Sequence, residues 1–378
     1  MSDLDVAVAG ASDVGTVREH NEDHLLVGDL DGRELIDTKE VWTHASDRGP
    51  LLVVCDGMGG VEGGEVASEL AAQVLWREMK ATPATKDAEV FARLLRRATR
   101  VANHEVHAMS KREPGLKGMG TTVSAAAVVN DRLVIATVGD SRAYVLRAGM
   151  LVQVTRDQSL SSALLAAGHS ENEAANAGSA ILQALGVGPD VEPSLSIIEL
   201  RRGDRVLLCS DGLHGLVGDP ALALLMSAPH SVRESASLLI TAARAAGGLD
   251  NITAIVADIG GERLSPALDE DDLPTFREFD PQKEGDSSLT DTSYVARRLA
   301  ARIGLPISSV SPAIPVTGQH PVMHSRIGIR IPATELPIED DEVAGPARQR
   351  LSEARIAWWL VVAIAVVACG IAWVLGGR

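Results

Sequence analysis

Three observations predict an α+β fold. Strand candidates at residues 123–129 and 133–139, and at 143–147 and 151–154, are separated within each pair by Asn130-Asp131 and Ala148-Gly149, which read as hairpin turns. Two amphipathic helices stand together ahead of these strands rather than alternating with them. Apolar runs of the β type also occur at 51–55, 134–138 and 206–209, each ending beside an aspartate and a glycine. Consecutive hairpins imply antiparallel pairing, and separate helix-rich and strand-rich blocks imply α+β layering.

The elements follow in chain order. Leu51-Leu-Val-Val-Cys55 is a buried strand leading into Asp56-Gly57. The first helix begins near Gly64 and spaces Val66, Leu70, Val74 and Leu75 along one face; the second, Phe91 to Met109, does so with Leu94, Leu95, Ala98, Val101 and Ala102. The two hairpins come next, and a short helix over residues 159–167 is stopped by Gly168. A polar run, residues 169–178, follows it. Val206-Leu-Leu-Cys-Ser210 is the last of the three aspartate-bearing strands and leads into Asp211-Gly212.

An ionised aspartate at the exit of a buried strand carries a desolvation cost that a cation offsets. Any one Asp-Gly is ordinary turn chemistry. Three with the same apolar approach (Asp56, Asp140, Asp211) point instead to hard divalent metal ions, which take oxygen ligands.

Six blocks in order carry a family resemblance. They are Arg18-Glu-His-Asn21-Glu22-Asp23; Asp56-Gly57-Met58-Gly59-Gly60 with Gly63-Gly64-Glu65; Gly118-Met-Gly120-Thr121-Thr122; Gly139-Asp140-Ser141-Arg142-Ala143-Tyr144; Ser210-Asp211-Gly212-Leu213; and Asp250-Asn251-Ile252-Thr253. In this order they resemble the bacterial branch of the metal-dependent type 2C protein serine/threonine phosphatases, over residues 5–259. The resemblance implies two stacked antiparallel β-sheets between helical layers, with metals at one end of the sandwich. It implies that Asp56 bridges two Mn or Mg ions, with the Gly57 carbonyl on one of them. Asp211 and Asp250 would complete the other ion's shell, Glu22 and Asp23 would hold metal-bound waters, and Arg18 would clamp the substrate phosphate. Asp140, shared with Asp211, would serve a weaker third ion. Two close ions acidify a bridging water and neutralise both entering and leaving oxygens, so no protein nucleophile is required.

The chain departs from that pattern in places. Met58 stands where some members place a histidine as candidate acid, and a thioether donates no proton. Gln158, in Thr155-Arg-Asp157-Gln158-Ser159, replaces the histidine of the usual Asp-His-Ser run. Residues 29–50 read as an inserted loop or hairpin. Residues 159–183 match the family's flap segment, with an ordinary surface helix-loop as the alternative. Arg18 by position alone is equally a surface arginine. Cys55 and Cys209, although beside site aspartates, read as small buried hydrophobes.

The formal charge of −16 argues against nucleic-acid binding. Three cysteines provide no disulfide framework, and the N-terminus shows no signal-peptide pattern. The catalytic domain is assigned to residues 1–260. Residues 261–350 contain Asp269-Glu-Asp-Asp272, recurrent proline and sparse apolar periodicity, so a disordered linker is expected. A brief basic helix over 294–303 is compatible with the pattern. Residues 356–375 carry no charge over 20 positions, about 30 Å of helix, enough to cross a bilayer. Trp358, Trp359 and Trp373 lie near its ends, and Arg348, Arg350 and Arg355 precede it while only Arg378 follows. That asymmetry expects a single-pass membrane protein with a cytoplasmic catalytic domain. The function expected is hydrolysis of phosphoserine and phosphothreonine in proteins; a bacterial setting with a partner Ser/Thr kinase is implied by the family resemblance only. A catalytically inactive phosphoprotein-binding module and a hydrolase of small phosphate esters are the competing readings.

Overall fold

A computed structural model of the protein describes residues 4–30, 32, 34–35, 42–44, 48–60, 63–176, 180–267 and 272–280. The expected basic helix and the membrane span lie outside the described residues. Among the described residues no helix is long and apolar enough to cross a membrane.

The strands are β1 (Asp5–Asp13), β2 (Asp23–Asp29), β3 (Glu34–Leu35), β4 (Trp42–His44), β5 (Arg48–Met58), β6 (Gly120–Thr121), β7 (Val123–Val129), β8 (Arg132–Val138), β9 (Arg142–Arg147), β10 (Met150–Gln153), β11 (Ser194–Glu199), β12 (Arg205–Cys209), β13 (Ile252–Gly260) and β14 (Phe276–Glu278). The helices are α1 (Gly63–Lys80), α2 (Ala88–Arg112), α3 (Leu160–Ala166), α4 (Glu171–Asn176), α5 (Asp211–Val217), α6 (Asp219–Ser227) and α7 (Val232–Ala245). One sheet has the order β10-β9-β12-β13-β1-β4; the other runs β14-β11-β8-β7-β5-β2-β3, with β6 paired to β5. The strand ladders are antiparallel, as the hairpins require.

The unbroken apolar runs follow from this layering. In β5, Leu52 and Val54 face the other sheet and join Val6, Ile135, Val206 and Ile255, whereas Leu51, Val53 and Cys55 face α1 and α2. In β12, Leu208 faces the middle layer while Leu207 and Cys209 face the helical layer of α5, α6 and α7. Side chains alternate with period two, so a strand covered on both faces reads as continuously apolar. Each buried Leu or Val contributes about 1.5–3 kcal/mol. Asn130 (φ 60°), Ala148 (φ 48°) and Gly149 (φ 80°) adopt the left-handed conformation that a tight hairpin turn demands.

Three expectations need revision. Asp56 lies within β5, because β5 continues to Met58 and pairs there with β6. The 29–50 insertion is divided: β3 pairs with β2 in one sheet, while β4 pairs with β1 in the other. Residues assigned to the linker also join the fold, since β14 pairs with β11 and Phe279 packs on the core beneath α1 and α2. Leu264 is buried as well. A three-residue strand is too short to show periodicity, and its anchors are distant in sequence.

Candidate active site

The end of the sandwich is where β1, β5, β8 and β12 finish and β2 and β13 begin. Asp23 and Asp56 are direct partners in the β2–β5 ladder. The Asp56 backbone is held from three sides: its N–H donates to Thr122 Oγ1 at 3.0 Å, and its carbonyl accepts from Thr122 N at 2.9 Å and Thr121 Oγ1 at 2.9 Å. Gly57 N donates to the Glu22 carbonyl at 3.1 Å. A Cβ at Gly57 would collide with the carbonyl oxygens of Gly64 and Glu22, so only glycine allows β2, β5 and the start of α1 to close together here.

Asp211 opens α5, and a Cβ at the following Gly212 would collide with the Asn251 carbonyl. Asn251 orders this side of the site: its Oδ1 accepts from Glu22 N at 2.8 Å, and its Nδ2 donates to the carbonyls of Val14 and His20 at 3.0 and 2.9 Å. Arg18 Nη2 donates to Asp250 Oδ2 at 2.8 Å, with both side chains well exposed at the rim. Asp140 follows β8, and its carbonyl contacts His214 Nε2 at 3.1 Å.

The electrostatics are those of crowded anions. Burial, then Asp23 and Asp211, holds Asp56 well above the usual carboxylate range. Asp56 also shares a hydrogen bond with Asp211, which burial and Asp250 raise in turn. Burial lifts Asp23 to about 7 against the opposing hydrogen bonds of Ser210 and Thr253, with Asp211 and Asp250 adding to the rise. Burial, Asp211 and Asp157 bring Asp140 to about 7. Glu22 is raised chiefly by burial, with Arg18 opposing.

The structure therefore brings Asp23, Asp56, Asp140, Asp211 and Asp250 into mutual range, with Glu22 and Gly57 beside them and Arg18 at the rim. As they stand, no three His, Cys, Asp or Glu side chains among the described residues close around one ion. Asp56 and Asp211 act on each other as neighbouring carboxylates, and Asp250 is paired with Arg18. The donor set nevertheless fits hard divalent cations. It is made of oxygens, its charges repel, and Asp23 Oδ1 and Asp140 Oδ1 are buried with no hydrogen-bond partner.

Sequence reasoning left several supporting residues without roles. Ser210 donates to Asp23 Oδ2 at 2.7 Å and accepts from Thr253 N at 3.1 Å. Gln158, buried, accepts from Gly139 N at 3.2 Å and donates to Ser194 Oγ at 3.0 Å. Its backbone also receives Leu182 N, so it fastens the root of the α3–α4 segment to the turn carrying Asp140. Their places inside motif blocks were the available signal. Cys55 and Cys209 are fully buried, and burial pushes both thiols up, which fits the hydrophobe reading.

Comparison with known proteins bears on the family of the chain. Residues 37–244 match the family model described as protein phosphatase 2C. The chain is similar to the serine/threonine phosphatase stp of Listeria monocytogenes, 36% identical over 250 residues, covering 65% of this chain and 93% of that protein. It is also similar to the serine/threonine protein phosphatase PstP of Mycobacterium tuberculosis, 38% identical over 254 residues, covering 66% of this chain and 44% of that one. Among solved structures, the catalytic domain of PstP in complex with two manganese ions aligns with a TM-score of 0.57 at 37% identity, covering 68% of this chain and 99% of that one.

Proposed function

Because the chain belongs to the protein phosphatase 2C family and is a protein serine/threonine phosphatase, we propose that its carboxylate cluster is where phosphoserine and phosphothreonine are hydrolysed. The observation that carries this reading is the convergence of five aspartates, two with orphaned buried oxygens, at one end of the sandwich.

Asp56, the Gly57 carbonyl, Asp211 and Asp250 would hold two Mn or Mg ions, with Glu22 and Asp23 supporting them from the adjacent strand. Asp140 with Asp211 would hold a weaker third. When bound, such ions supply Lewis acidity, acidifying a water and neutralising phosphate oxygens. The remaining work falls to the chain. Arg18 can release Asp250 and present its planar fork to two phosphate oxygens. Ser210 and Asn251 fix Asp23 and Glu22, which keeps the site's shape independent of substrate. Met58, at the end of β5, can pack but cannot donate a proton, so the leaving alkoxide is protonated by another group.

Residues 356–375 would anchor the protein as a single pass, with the arginines before them keeping the catalytic domain on the cytoplasmic side. There it would oppose a Ser/Thr kinase. The full-length protein should hydrolyse a phosphoserine/phosphothreonine peptide panel with Mn, lose turnover in EDTA and recover it when Mn is restored. Turnover that persists in EDTA would refute the metal assignment. Recovery of the protein in the soluble fraction of disrupted cells would refute the anchor.

A further inference from the structure

A cationic groove lies away from the aspartates. On α2, Arg93, Arg96, Arg97, Arg100 and His104 recur at helical spacing and, with Val101, line a shallow groove of about 340 Å³. So dense a cationic face is unexpected in a chain of net charge −16. Two carboxylates occupy part of it: Glu192 lies 2.7 Å from Arg96 Nη2, and Asp190, 84% exposed, lies 3.8 Å from Arg100 Nη2. Arg93 lies over the Phe279 ring, 5.5 Å from its centroid, whereas Arg97 and Arg100 are solvent-exposed.

The groove is joined to the site by ordered chain. Gly120 pairs with Met58, two residues past Asp56, and a Cβ on Gly120 would touch both Met58 and Val187. Val187 is 60% exposed at that rim. The loop from Gly186 to Glu192 then runs along α2, held by Asn103 Nδ2 donating to Gly188 O and Pro189 O at 3.1 Å each, by Gly186 N donating to Asn103 Oδ1 at 2.9 Å, and by His107 Nδ1 contacting Gly186 O at 2.8 Å. An apolar step and then a basic groove therefore lead outward from the catalytic end.

We propose that this arginine groove is an exosite for a second phosphoserine or phosphothreonine on the same protein substrate. The inference rests on the phosphatase reading of the aspartate site. Guanidinium forks match phosphate oxygens bidentately, and a phosphate dianion outcompetes the single carboxylates of Asp190 and Glu192. Arg100 stands twelve residues before the end of α2, roughly 18 Å of helix. A second phosphate some 20–30 Å from the first corresponds to about six to nine residues of extended peptide.

The test uses full-length protein with Mn and four substrates: p-nitrophenyl phosphate, a singly phosphorylated peptide, the same peptide with a second phosphoserine six to nine residues away, and that peptide with glutamate at the second position. The doubly phosphorylated peptide should show a KM about tenfold below that of the singly phosphorylated one, with glutamate giving little of this gain. Arg97→Ala with Arg100→Ala should erase the difference while leaving p-nitrophenyl phosphate and the single phosphopeptide unchanged, and the paired Lys variants should keep part of it. Equal KM values in the unaltered protein, a preference that survives the double Ala change, or glutamate equal to phosphoserine would each overturn the exosite. Absence of turnover on every substrate would refute the reading of the catalytic site, and the exosite with it.

Discussion

Two buried charged clusters in this molecule are built on opposite plans. Around Arg147 the charges are matched: Nε and Nη2 donate to the two oxygens of Asp204 at 2.8 Å each, Nη2 also reaches the Glu199 carbonyl at 2.7 Å, and Arg201 N caps Asp204 Oδ2 at 2.8 Å. Asp272 adds a further carboxylate, 3.4 Å from Arg147 Nη1 and 3.0 Å from Arg201 Nε, which pins the stretch leading to β14. At the aspartate end the buried groups are of one sign, and two oxygens have no partner. The first arrangement is complete within the chain. The second leaves like charges crowded together in a donor set that fits cations, and unmatched buried charge of that kind marks a site of function rather than a structural clasp.

The largest expected effect breaks that contrast directly. Asp56→Asn keeps the shape of the side chain but removes its anionic oxygens, and should lower kcat on phosphopeptides by at least about 10³-fold, roughly 4 kcal/mol of barrier. Because it also removes one of several repelling carboxylates, the metal-free protein should melt no lower than the unaltered one. Substantial turnover, or a marked fall in Tm without metal, would place Asp56 on the structural side of the comparison.

Arg147→Leu tests the clasp. Removing one partner of a buried ion pair costs about 3–5 kcal/mol, because Asp204 is left buried and uncompensated. In a domain of this size that amounts to a Tm loss on the order of 10 °C. The folded fraction should retain its kcat, since Arg147 touches none of the site aspartates. A kcat loss with unchanged Tm would reverse the assignment.

These clusters differ as much in legibility as in charge. Asp56, Asp140 and Asp211 stand out because each closes an apolar run beside glycine, a local pattern with a chemical reason, whereas Asp23 and Asp250 showed only as motif letters. The hairpins at Asn130 and Ala148 were legible for the same reason. Arg147 gave no such sign: its partners lie 57 and 125 residues away, and nothing near Asp272 distinguishes it from its acidic neighbours. Ser210 was visible as a motif letter, yet its bond to Asp23 spans 187 positions. The β14 strand was hidden within a proline-containing acidic stretch whose composition argued for a linker. Partners brought together only by sheet topology leave no periodic trace in the chain.

Proton linkage sharpens the contrast further. Asp23 and Asp140, with ordinary values of 3.8, are raised to about 7 in the folded chain. Between about pH 4 and 7 the folded state therefore holds more protons than the unfolded one, so metal-free stability falls as pH rises through 7. Cations that match the ionised cluster should offset this loss. The Tm gained on adding Mn should be several degrees at pH 7.5 and small at pH 5.5, as thermal melting would show. A gain independent of pH would mean that these carboxylates do not meet the metal.

The smallest expected effect is at the rim. Arg18 is half exposed and paired with Asp250, so removing it leaves no buried charge and should hardly change Tm. If its fork clamps phosphate, Arg18→Ala should raise KM for phosphopeptides about tenfold, near 1.4 kcal/mol, and Arg18→Lys should recover only part, because a single ammonium cannot make two parallel bonds. Asp250 complicates the outcome in an instructive way: freed of Arg18, it should bind Mn somewhat more readily, so the half-saturating Mn concentration should fall while KM rises. Movement of both quantities in the same direction would mean that Arg18 supports the metal-binding aspartates rather than the substrate.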